Sequence, residues 1–331
     1  MSFQTILNFY RSYGLFISIA VGCFCPFLHV ISEQYFALLL MPMLFFVFVR
    51  LRAPFHAFHW SHLPLLLWNL LFPCAVFWTL RALGFSADVA MGGFMAAVSP
   101  TGTAAPVVMT FLEGKMEFVV IAFLLTTLGF TFLIPFLFPL FYGVETPGLS
   151  FMILEKVAGV VLIPMVLAVL CRLIYPRSEE WGYRAKDFSF LLWQCLIILI
   201  CSKMSFSLWE NHELLYHVPE CLIIAAAVCF LNFAAGYVFC GRKFAREASQ
   251  ALGQKNCGLT ILVAITYANP LVVLCPSLYI MCHNSWNAIQ IARHERPKAQ
   301  KTKPMKSHEL PKSPKNAKKR EAAAKAGDNE I

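Results

Sequence analysis

The sequence predicts an all-α integral membrane protein of ten transmembrane helices. They form inverted five-helix repeats, with helices 4 and 9 broken and crossing at the midplane. Three observations carry this prediction: a composition too apolar for a soluble chain, ten apolar runs, and two polar interruptions at matching places in those runs. Of the 331 residues, 59% are hydrophobic and only 14% are charged, and mean hydropathy is +0.65. Soluble domains run nearer half apolar and a quarter charged. A disordered protein, a disulfide miniprotein and an ordinary cytosolic enzyme are therefore excluded.

A helix needs about 20 apolar residues to cross ~30 Å of hydrocarbon. The first five runs lie at 15–32, 35–50, 62–82, 88–112 and 117–142. The second five lie at 150–175, 187–203, 219–240, 245–268 and 271–292. None alternates as a barrel strand must, so helices are the structures that satisfy their backbones in lipid. The first run lacks the small-residue cleavage site of a removable signal and is expected to be retained. With the N-terminus inside, the short inner segments hold Arg11, Arg50, Arg52, Lys115, Arg172, Arg177, Arg184, Lys186, Arg242, Lys243 and Arg246. The outer loops hold Arg81 and Lys203. This positive-inside asymmetry predicts a multi-pass protein of the cell membrane (the inner membrane, if bacterial) with both termini cytoplasmic.

Residues 1–292 read as the transmembrane domain and 293–331 as a disordered, basic cytoplasmic tail. From Arg293 onward there are twelve Lys/Arg against five Asp/Glu and no apolar periodicity. The formal charge of +9 thus belongs mostly to the tail. That fits attraction to anionic membrane lipids or a solvated extension better than nucleic acid, which is not an expected partner. Twelve cysteines include no CxxC pair, which argues against a zinc site or a disulfide framework. His56, His59 and His62 recur at a spacing that suits a transition metal, but with Phe55, Phe58 and Trp60 interleaved they read better as an interfacial belt. Thr126, Thr127 and Thr131 in the fifth run are expected to bond back to their own helix. Glu155 and Lys156, facing different sides of the sixth, are expected to snorkel. No Walker loop, HExxH, GxSxG or intramembrane carboxylate cluster occurs, so no enzyme activity, metal or cofactor is expected.

The fourth run is interrupted at Ser99-Pro100-Thr101-Gly102-Thr103-Ala104-Ala105-Pro106. Two prolines and a glycine there remove helical hydrogen bonds and free carbonyls. The ninth run is interrupted at Leu252-Gly253-Gln254-Lys255-Asn256-Cys257-Gly258. Each break falls in the fourth span of a five-span half. Paired interruptions of this kind mark inverted-repeat transporters with a site between the broken helices.

These motifs carry a resemblance. Pro100-Thr101-Gly102-Thr103-Ala104, the Glu113-Gly114-Lys115 turn, Pro135 and Pro139 match in order the pattern of the bile acid/sodium symporter family. So do Gly253, Asn256, Gly258 and Leu259, and His283-Asn284-Ser285. The resemblance covers most of residues 10–292 and implies a ten-helix secondary transporter of organic anions. It implies a core of spans 3–5 and 8–10 moving against a panel of spans 1, 2, 6 and 7. This chain departs from the family at the sodium ligands. Ala105 and Pro106 replace a serine and an asparagine, Ala251 a glutamate, Lys255 a glutamine, and Val119 and Phe123 two hydroxyl residues. Hard cations need oxygen ligands, so sodium coupling is not expected.

Lys255 is the candidate coupling residue. A charged lysine at the centre of a membrane helix costs roughly 2.5–3.5 kcal/mol on insertion scales. Two roles fit: an ammonium that replaces the coupling cation and exchanges a proton during transport, or one that merely locks the break onto nearby carbonyls. Thr101, Gly102, Thr103, Gln254 and Asn256 are the candidate substrate-binding residues, since half-helix N-termini favour anions. His283 and Asn284 are candidates for supporting the site. The expected function is sodium-independent transport of a small organic anion, proton-coupled or uncoupled. The alternatives are a symporter binding sodium through backbone carbonyls alone, and a membrane receptor or sensor that has lost turnover.

Overall fold

The computed structural model describes Gly14 and residues 16–31, 34–50, 55–143 and 146–301. Arg11, Arg52 and the tail beyond residue 301 lie outside the described residues. Of the described residues 87% are helical, and none forms a strand. It divides into two units, Met1–Ala288 and Ile289–Ile331.

In chain order the helices are α1 (16–24), α2 (Gln34–Arg50), α3 (His62–Ala82), α4 (Ala87–Val98), α5 (Ala105–Phe111) and α6 (Met116–Tyr142). They continue as α7 (Leu149–Ile174), α8 (Glu179–Arg184), α9 (Lys186–Glu210), α10 (Glu213–Phe239), α11 (Ala245–Gly253), α12 (Cys257–Tyr267) and α13 (Pro270–Lys301). Five stretches are long and apolar enough to cross a membrane: His62–Ala82, Met116–Tyr142, Leu149–Ile174, Asp187–Glu210 and Glu213–Phe239. Their surroundings differ. The most apolar stretch of α6 is 67% buried, that of α7 only 28%, so α6 is interior while α7 turns a broad apolar face outward, as a helix bordering lipid would.

Helix ends follow local chemistry. Ser86 caps α4 by accepting a hydrogen bond from the Val89 amide at 3.2 Å. α4 stops before Ser99, which takes extended backbone (ψ 136°) because Pro100 follows it. Pro106 does not break anything. It occupies the first turn of α5, where its missing N–H is no loss. The expectation that both prolines interrupt one span is therefore corrected: Pro100 ends one helix and Pro106 starts the next. α6 runs through Pro135 and Pro139 and ends at Gly143, whose φ of 69° suits a left-handed cap.

Two groups of helices pack within the first unit. In one, α2 lies along α7, α8 and α9, and α9 also holds the 3-10 turn Pro26–Val30. There Ser202 and Ser205 donate to the carbonyls of Cys25 (2.6 Å) and Cys23 (2.8 Å), satisfying the end of α1. In the other, α3 pairs with α4, α4 with α10 and α10 with α11, while α6 touches α3, α5 and α11. The groups meet through α6 with α7, α12 with α2 and α7, and α10 with α9.

Candidate functional site

The two breaks, 99–104 and 254–256, meet each other. Thr101 and Lys255 form an isolated antiparallel bridge, flanked by Gly102 N–H to Gln254 O (2.6 Å) and Asn256 N–H to Pro100 O (2.8 Å). This is the non-hydrogen-bonded pair of an antiparallel ladder, closed on both sides. It gives partners to backbone groups that the broken helices release, where Thr101 is fully buried and Lys255 only 3% exposed. Gly102 suits the close approach of the two breaks: a Cβ there would lie 3.1 Å from Gln254 O and 3.2 Å from the Lys255 carbonyl, so the bridge would have to give by a few tenths of an ångström.

Side chains brace the joint from four directions. The Thr101 amide donates to Thr126 Oγ1 of α6 (3.0 Å), and the Thr101 hydroxyl donates to Ala251 O (2.7 Å). The hydroxyls of Ser99 and Thr260 lie 2.7 Å apart, tying the end of α4 to α12. A chain of donors runs from Trp68 Nε1 to Asn232 Oδ1 (3.0 Å), from Asn232 Nδ2 to the Tyr279 hydroxyl (3.2 Å), and from that hydroxyl to Gly253 O (2.8 Å). It holds the last carbonyl of α11 from α3, α10 and α13. Gly253 itself admits no side chain, because a Cβ would fall within the Phe233 ring.

The Lys255 ammonium donates to Asn69 Oδ1 on α3, and the thiols of Cys229 and Cys257 neighbour it. Asn69 was absent from the expected site, although it is the lone amide in the apolar run of α3. Gln254 is buried and accepts from Gln250 Nε2. Thr103 and Asn256 are half-buried beside the bridge. Asn256 occupies the N-cap position of α12 but makes no capping bond, and its buried Nδ2 has no hydrogen-bond partner. His283 is buried and its Nε2 lies 3.2 Å from Asn284 Nδ2. Thr101, Gly102, Gln254, Lys255 and Asn256 are thus brought together, while His283 and Asn284 sit on α13, one turn beyond Tyr279.

The positions where the resemblance implies sodium ligands carry apolar side chains or Lys255. Val119 and Phe123 are fully buried hydrocarbon, Pro106 is a helix-starting residue, and Ala251 contributes only a carbonyl, which accepts from Thr101. Among the described residues no group of three His, Cys, Asp or Glu side chains is placed to hold a metal ion. His62 turns inward, fully buried, with Nε2 3.0 Å from Phe118 O and Nδ1 2.9 Å from His59 O, while Phe58 and Trp60 are exposed. Of the three α6 threonines, Thr126 and Thr131 bond back to Ala122 O and Thr127 O at 2.8 Å. Thr127 does not: its hydroxyl is buried without a partner. Lys156 lies over the Tyr267 ring, its Nζ 5.9 Å from the centroid.

No family model matches the sequence, and no curated protein matches it.

Proposed function

We propose that this chain is a secondary active transporter of a small organic anion, working by alternating access in the cell membrane. In this reading ten spans form two inverted five-helix halves, as the resemblance to the bile acid/sodium symporter family implies. The group of α3–α6 with α10–α13 is the moving core and the group of α1, α2, α7 and α9 the panel. The observation that carries the reading is a buried ammonium at the joint of two broken helices, with no carboxylate within salt-bridge distance among the described residues. Its neutral partner, Asn69, leaves the positive charge uncompensated, which suits an anionic ligand. The half-buried Thr103 and Asn256 lie beside it as polar contacts for a carboxylate or sulfonate. Lys255 takes the place of the coupling cation, gaining its proton on one side and losing it on the other.

The carbonyls of Pro100, Gln254, Ala251 and Gly253 already accept hydrogen bonds. That favours sodium independence over a symporter that binds sodium through its backbone. Counterflow in proteoliposomes against a set of organic carboxylates and sulfonates, with and without sodium, tests the reading. The expected result is exchange of at least one acid at equal rates in sodium and in choline buffer. Strict sodium dependence would refute the coupling assignment. Saturable binding without any luminal accumulation would instead identify a receptor.

A further inference from the structure

The starts of α3, α6 and α11 gather rings and cations around one phenylalanine. Phe244 ends the 3-10 turn Arg242–Phe244 that leads into α11, and it is buried. The Phe118 ring of α6 stacks on it with centroids 4.6 Å apart, and the His59 ring, just before α3, meets it at 4.8 Å. Behind Phe118 the His62 ring stacks at 3.9 Å. Three elements therefore fix where Phe244 stands.

Two ammoniums converge on that ring. Lys115 Nζ lies 5.1 Å from its centroid and Lys243 Nζ 5.2 Å. Lys115 reaches it from the N-cap of α6, Lys243 from the position before Phe244. Both residues are exposed, and neither ammonium has a carboxylate within salt-bridge distance among the described residues. A ring face orients an ammonium without neutralising it, so two like charges are gathered where they repel each other. The other charged groups here are placed differently. Glu247 is buried and accepts from the Lys115 amide at 2.9 Å, and Arg246 donates to Leu112 O. Glu113 lies on the turn before α6 and Glu117 in its first turn, while Arg242 adds one more exposed cation.

Depth decides the kind of anion. His62–Ala82 and Met116–Tyr142 are both long and apolar enough to cross a membrane. Lys115 immediately precedes α6, and the exposed Phe58 and Trp60 shortly precede α3. Exposed aromatics and cations at the ends of such helices mark the headgroup level. There a lysine stem lies along apolar surface while its charge reaches phosphate. In the orientation that the loop charges predict, this end faces the cytoplasm, whose leaflet carries anionic lipid.

We infer that Lys115 and Lys243 form a binding site for the phosphate of an anionic phospholipid, with Phe244 as the plate that holds both ammoniums in place. The phosphate accepts a charge-assisted hydrogen bond from each ammonium and so ties the start of α6 to the turn that opens α11. A zwitterionic lipid brings its own cationic group, which the two lysines repel, so the site favours an anionic one. The inference is independent of what the protein transports.

Native mass spectrometry of the full-length protein, titrated with phosphatidylglycerol, with phosphatidylcholine or with inorganic phosphate, reads the affinity for the first molecule bound. A lysine near an anionic surface contributes about fivefold. Wild type is expected to bind one phosphatidylglycerol more tightly than phosphatidylcholine. That binding should weaken about fivefold in Lys115→Gln and in Lys243→Gln, and roughly 25-fold in the double variant. Arg177→Gln with Arg184→Gln removes the same charge from exposed positions elsewhere and should leave it unchanged. Equal binding of the two lipids, a double variant that binds like wild type, or an equal loss in the arginine pair overturns the proposal. So does displacement of phosphatidylglycerol by equimolar inorganic phosphate, the mark of a soluble-anion site. Should the double variant fail to fold, the two single variants carry the same test.

Discussion

Lys255 is held at 3% exposure by a single neutral acceptor, Asn69, so removing that acceptor strands the ammonium. A hydrogen bond to a charged group contributes about 1.5–3 kcal/mol. Asn69→Leu is expected to lower stability by that amount in thermal unfolding of the purified protein. Lys255→Met in the same background should recover most of the loss, because the double variant no longer buries an unpaired charge. Thr126→Val tests the other brace. It removes the acceptor of the Thr101 amide at nearly constant volume and should cost about 1–3 kcal/mol, with the bridge loosened and transport slowed. The lysine was legible in the sequence because an ionisable residue inside an apolar run stands out. Its partner was not: Asn69 lies 186 positions away, and no local pattern links the two.

At the scale of the element, the joint depends on where helices stop. Pro100 excludes Ser99 from helical backbone, whereas Pro106 only starts α5. Pro106→Ala should therefore leave unfolding and counterflow near wild type. Pro100→Ala should let α4 extend, break the register that pairs Thr101 with Lys255, and abolish counterflow in a protein that still folds. Gly253→Ala forces a methyl into the Phe233 ring and should cost about 1–3 kcal/mol by overpacking. Circular dichroism with thermal melts measures each of these. The breaks could be read from proline, glycine and polar residues interrupting hydrophobic runs. How the two breaks pair could not, because Gly102 N–H to Gln254 O and Asn256 N–H to Pro100 O are long-range backbone bonds with no signature in side-chain order. The assignment of Pro106 as a breaker failed for a simple reason: proline at the first turn of a helix and proline in its middle look alike in a string of letters.

At the scale of the whole molecule, two packed groups of helices meet along a seam that includes α12 against α7. There Tyr267 donates its hydroxyl to Met152 O at 3.2 Å. If the groups move past one another, a Met152→Cys, Tyr267→Cys pair closed by an oxidising crosslinker should stop counterflow, and reduction should restore it. Exchange that continues through the crosslink would rule out motion at that seam. Composition made the helical, membrane-like character plain. Which helices pack together was not legible in residue order, since the contacts that define the packing join residues far apart in the chain. The account as a whole turns on the charge at the joint. Its most direct test is net uptake, driven by an imposed pH gradient, of an acid that the wild-type protein exchanges, compared among wild type, Lys255→Gln and Lys255→Ala in proteoliposomes. Wild-type accumulation should follow the gradient, and both variants should lose that response while remaining folded. Gradient-driven accumulation that persists unchanged in both would contradict it.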